Sequence, residues 1–163
     1  MIGTSAGNRE DRMAWTDTLT REWRVRPWWM NALFAFCFYM TVVYMPFDLF
    51  WKPVAEDEEV WFGITLHGWV AKATAPLHWL IYGAGAWGFW KMRPWMWPWA
   101  AVYAAQVTVA MLVWNLLDPR GGGLVAGLIA AAVFAVPTVA LWRARHEFRG
   151  RGPAPGATTE EAP

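Results

Sequence analysis

The chain has 163 residues, 56% of them hydrophobic, with 15 tryptophans and only 17% charged residues. A soluble domain carries about a quarter charged residues, so this composition points away from one. The net charge of +1 lacks the basic excess of a nucleic-acid-binding domain, and the lone Cys37 excludes an intramolecular disulfide or a CxxC redox pair.

Residues 1–27 mix acids and bases ahead of the first apolar run, so no cleavable signal peptide is expected. Within them Trp15, Leu19 and Trp23 recur every fourth residue. They predict an amphipathic segment over residues 9–26 lying along a membrane surface, with Arg12, Arg21, Arg24 and Arg26 facing anionic headgroups.

Four apolar runs follow, each near the 20 residues needed to cross a bilayer. They cover about 28–50, 69–90, 96–117 and 122–142. The expectation is an all-α, polytopic membrane protein, a bundle of four transmembrane helices over residues 28–142. The mean hydropathy of only +0.18 reflects the polar ends that flank these runs. Residues 143–163 read as a basic stretch followed by a disordered tail rich in Pro and Gly.

Lys and Arg fix the orientation. Arg9, Arg12, Arg21, Arg24, Arg26, Lys91, Arg93, Arg143, Arg145, Arg149 and Arg151 fall on one side. The first and third connections hold only Lys52 and Arg120. Both termini are therefore expected in the cytoplasm. Trp28, Trp29, Trp87, Trp90, Trp95, Trp97, Trp99 and Trp142 flank the inner ends of the spans as an aromatic belt.

The first connection is the longest and contains Glu56-Asp57-Glu58-Glu59, read as a solvated acidic turn. The apolar stretch Val60–Leu66 that follows is able to dip back into the outer leaflet.

Polar residues at mid-span are costly in hydrocarbon and mark candidate sites. His78 and Gln106 lie near the midpoints of the second and third runs and are expected to hydrogen-bond each other. Thr74 and Tyr82 stand one turn either side of His78, and Tyr103 stands near Gln106. No acid of the spans reaches this depth, so a neutral imidazole is expected. Pro76 weakens the backbone bonding beside it. A bis-histidine haem is disfavoured, because His67 and His146 lie at other depths, and no metal ligand set or other cofactor is implied. Asp48 and Lys72, both toward the outer ends of neighbouring spans, are expected to form an interhelical ion pair. Gly123, Gly127, Ala131 and Ala135 make a small-residue stripe for close helix packing.

No nucleophile–base set, HExxH or CxxC accompanies these residues, so no catalytic residue is assigned and enzymatic chemistry is not expected. The reading is a non-enzymatic protein that binds an apolar ligand or lipid in the bundle, or serves as an accessory subunit of a larger membrane complex. The alternative is a small oligomeric transporter or channel, though an acid inside the spans is missing for either. Expected partners are membrane lipids and a membrane protein or a second copy of the chain, with no nucleic acid.

Overall fold

The computed structural model describes residues 26–148, and they are mostly helical. Four long helices occur among them. α1 (Trp28–Phe50) opens as an α-helix over Trp28–Tyr39, widens to a π-helical turn over Met40–Tyr44 and resumes over Met45–Phe50. The cause of the widening lies in Pro46, which has no N–H for the carbonyl four residues back and crowds that turn. A two-stranded antiparallel hairpin follows, β1 (Glu58–Trp61) and β2 (Ile64–His67). Then come α2 (Gly68–Lys91), α3 (Met96–Leu117) and α4 (Gly123–Arg143). In α3 the regular helix starts after Trp97, whose extended backbone (φ −98°, ψ 128°) is what the following Pro98 demands.

Three helices are long and apolar enough to cross a membrane: Trp28–Phe50, Met96–Leu117 and Gly123–His146. α2 has 24 residues, about 36 Å at the α-helical rise. It is less apolar, because it carries Lys72, His78, Lys91 and several glycines. The outward faces are hydrocarbon: Val109, Val125, Ile129, Val133 and Val136 are each at least 60% exposed. An apolar surface of that extent is stable against lipid and not against water.

α1 packs along α2, and α3 packs along α4, whereas contacts between α2 and α3 are few. At the end away from the hairpin the two pairs converge on one core of Met30, Phe89, Met96, Ala101, Leu141, Ala144 and Phe148. Gly88 sits so close to Met96 that a Cβ there would fall 2.2 Å from its sulfur. At the other end the hairpin fills the gap between α2 and α3.

Two expectations change at the convergent end. Arg26 does not face outward; it is 5% exposed and its Nη1 donates to the Phe89 (2.8 Å) and Trp90 (3.3 Å) carbonyls. It thereby caps the C-terminus of α2, where carbonyls without helical partners attract a cation, and it stacks near Phe34 and Trp90. The segment after α4 begins as structure, not tail: Ala144–His146 forms a 3-10 turn, and Phe148 is buried against Phe89. The amphipathic segment expected over residues 9–25, and the tail from 149 onward, lie outside the described residues.

The small-residue stripe of α4 is used unevenly. Gly127 is buried, packed on Leu112 and Asn115 of α3, and Ala131 and Ala135 are half-buried. Gly123 begins the helix with a φ of +72° and has open space around it. Thr108 and Thr138 hydrogen-bond across the same seam at 3.1 Å.

Candidate functional site

Glu58, Glu59, Val60 and Trp61 alternate in β1, but in the reverse of the usual sense. Glu59 is buried and Trp61 half-buried against α2, while Glu58 and Val60 face out. The Trp61-Phe62-Gly63-Ile64 turn is a two-residue loop with φ of 53° at Phe62 and 87° at Gly63. Paired positive φ values define the tight hairpin turn that matches strand twist. Gly63 is required twice over, because a Cβ would also lie 2.5 Å from Val113 Cβ and 2.6 Å from the Ala110 carbonyl oxygen on α3.

The hairpin is clamped on both sides. Thr65 Oγ1 donates to Asp118 at 2.6 Å, Trp114 Nε1 donates to Thr65 at 3.2 Å, and Arg120 reaches Glu58 at 2.7 Å. Hydrogen bonds from Arg120 and then Thr65 hold the Asp118 carboxyl far below the usual carboxylate range. On the α1–α2 side, Lys52 reaches Asp48 at 2.9 Å and Asp57 at 3.2 Å, and Lys72 reaches the other Asp57 oxygen at 3.2 Å. Burial pulls the Lys52 ammonium down, but its bonds to Asp48 and Asp57 outweigh burial and hold it above its usual value. Two aspartates and two lysines thus neutralise one another, as buried charges must.

These contacts correct the sequence reading at three points. The acidic run is solvated only at Glu56 and Glu58, since Asp57 is 1% and Glu59 8% exposed. Lys72 does meet Asp48, but through Asp48's backbone carbonyl; the Asp48 carboxylate is taken by Lys52, four residues on in the chain, and Lys72 takes Asp57. The carboxylate absent from the neighbouring helices beside His78 comes from β1: His78 Nδ1 lies 2.5 Å from Glu59. The imidazole also stacks on Trp61, with ring centroids 4.0 Å apart and planes 3° from parallel.

The expected His78–Gln106 bond is not made. His78 is engaged by the hairpin, and α2 and α3 diverge where the hairpin enters. Thr74 also stays within its own helix, donating to the Ala71 (2.9 Å) and Val70 (3.3 Å) carbonyls. Tyr82 and Tyr103 face the same cleft between α2 and α3. Tyr82 lies beside His78, ring centroids 6.2 Å apart.

Below this polar cap, toward the convergent end, the cleft between the helix pairs holds a cavity of about 400 Å³. Its size comes from small residues where the helices would otherwise touch: Ala84 and Gly85 on α2, Ala100 and Ala104 on α3. Leu33, Phe36 and Cys37 of α1 and Phe134, Pro137 and Leu141 of α4 close its sides, and Trp95 and Trp99 flank it near the α2–α3 turn. Apart from the tyrosine hydroxyls at one end and the Cys37 thiol, its walls are mainly hydrocarbon and aromatic carbon. Such a lining suits an apolar molecule, and the volume lies within the few hundred to 1,000 Å³ range of ligand sites.

Asp57, Glu59, Lys52 and Arg26 have other roles in the sequence reading, as loop, topology or headgroup charges, and Trp61 has no site role there. The signal for Glu59 and Trp61 was their alternation ahead of a glycine turn. Comparison of the chain with known protein families, curated proteins and solved structures finds no match.

Proposed function

We propose that this chain is an integral membrane protein in which all four long helices cross the bilayer, both termini are cytoplasmic, and the cleft between the helix pairs binds an apolar molecule. The observation that carries the reading is the cavity of about 400 Å³, lined by residues of all four helices. The topology rests on the separation of positive charge, with α2 crossing through burial of its polar groups: Lys72 against Asp57, and His78 against Glu59. A hairpin at membrane depth is tolerable because Glu59 and Thr65 meet protein partners, His78 and Asp118.

In this reading the helix pairs are walls, the convergent core is the floor, and the hairpin is the lid. The ligand's apolar body replaces lipid tails in the cleft. Its polar end, if it has one, meets Tyr82 and Tyr103, which each carry one donor and an acceptor oxygen.

The test is to purify the protein from its native membrane in mild detergent, extract it with organic solvent, and quantify what comes with it. Wild type yields one apolar species in near-stoichiometric amount. Ala104→Phe, which fills the cavity, loses it while retaining its fold by circular dichroism. Equal recovery from both proteins sinks the reading.

A further inference from the structure

The cations of this chain are handled differently at its two ends. At the hairpin end Lys52, Lys72 and Arg120 each meet a carboxylate. At the convergent end Arg143 has no carboxylate or hydrogen-bond partner among the described residues, and Arg145 meets only the face of Trp97, 4.5 Å from its centroid. Glu147, the acid nearest in sequence, lies against His146 at 3.2 Å. Charges left open on aromatic supports at a membrane end are positioned for an anion.

Beside them runs a second groove, on the outside of the α3–α4 pair, with a volume of about 370 Å³. Ala101 and Ala105, one turn apart, give it a shallow floor, Val102 and Val139 its apolar sides, and Trp142 and Arg143 its end. It shares no lining residue with the cleft cavity. Trp142 is held in place by Trp97, whose indole N–H donates to the Trp142 carbonyl at 3.1 Å and whose ring lies 5.4 Å away. Arg145 on Trp97 and Arg143 beside Trp142 therefore belong to one cluster at the mouth of one apolar groove.

We propose that this groove binds an anionic phospholipid, one acyl chain lying on Ala101 and Ala105 and the phosphate meeting Arg143 and Arg145. Charge complementarity selects this occupant. A second copy of the chain would bring the same two arginines, and an apolar helix would leave them without a counter-charge. Each arginine near the headgroup favours an anionic over a zwitterionic lipid by about fivefold.

Native mass spectrometry of the purified protein decides it, with phosphatidylglycerol and phosphatidylcholine of identical acyl chains offered in equal amounts. Wild type retains phosphatidylglycerol preferentially, on the order of tenfold or more. The preference falls toward one in the Arg143→Gln, Arg145→Gln double variant, and survives in the double Lys variant. Ala105→Phe, which raises the floor, loses the bound lipid with both charges in place. Equal retention of the two lipids by wild type overturns the proposal without reference to any variant. So does a preference that survives loss of both arginines, or a lipid-free dimer that buries the groove.

Discussion

Removing the carboxylate of Asp57 is the most informative single change, because two lysines depend on it. Asp57 lies 3.2 Å from both Lys52 and Lys72, with its side chain wholly covered and Lys72 13% exposed. At an effective dielectric near 20, two unit charges at that distance attract by about 5 kcal/mol. Desolvation of both groups cancels much of this, so a coupling of about 2 kcal/mol is expected for Asp57 with Lys72. Asp57→Asn should cost about 3 kcal/mol, since it leaves two ammonium groups facing each other near Asp48 alone. Lys72→Met costs less, and the Asp57→Asn, Lys72→Met double variant recovers part of the loss. The assay is unfolding in mixed micelles followed by tryptophan fluorescence. The same cycle for Asp48→Asn with Lys72→Met should give a small coupling, because Lys72 binds Asp48's backbone carbonyl, which the substitution leaves in place. A larger coupling for the 48–72 pair than for the 57–72 pair would refute the arrangement.

Gly63→Ala should destabilise by about 3 kcal/mol in the same assay, since its Cβ meets Val113 and Ala110 and its φ is positive; a neutral effect means the hairpin does not rest on α3. The depressed Asp118 carboxyl makes a pH prediction with a definite sign. Its contribution is complete above the ordinary value of 3.8 and is lost as pH falls below it. Thermal stability should therefore drop on acidification below about pH 4, by less in Asp118→Asn; parallel curves contradict the role given to the Arg120 and Thr65 bonds. Reporter fusions after Arg120 and after Arg145 should report opposite sides of the membrane, the second cytoplasmic. The same side for both rejects a spanning α4.

Much of the helical frame is legible in the sequence, because hydrocarbon has no hydrogen-bond partners and a crossing segment must be a continuous apolar run. The bounds of α1 and α3 match their runs, and α4 departs by a residue at each end. α2 is less plain, since Lys72 and His78 dilute it and are made tolerable by residues from another part of the chain. The hairpin resisted reading for the same reason. Glu59 and Asp57 belong to a run of four acids, which signals solvent unless the lysine and histidine that receive them are known to be adjacent. Depth along a helix, the argument that linked His78 to Gln106, fixes height but not what stands between two helices. Here Glu59 and Trp61 engage His78 instead. From spacing alone Tyr82 is expected beside His78 and Tyr103 beside Gln106, with no cavity between them. Their place at the rim of a cavity depended on α2 and α3 splaying apart, which no local pattern records.

Cys37 offers the most direct test of the central claim, because the chain has a single cysteine and it lines the cleft cavity. The measurement is the rate at which a small apolar maleimide alkylates Cys37 in the folded, detergent-purified protein before and after the bound apolar species is stripped by exhaustive detergent washing. Stripping should speed the reaction by about tenfold, and adding back the organic extract should slow it again, since a molecule in the cavity and the reagent compete for one space. A rate that is unchanged by stripping and by the extract would show that the space beside Cys37 is not a binding site.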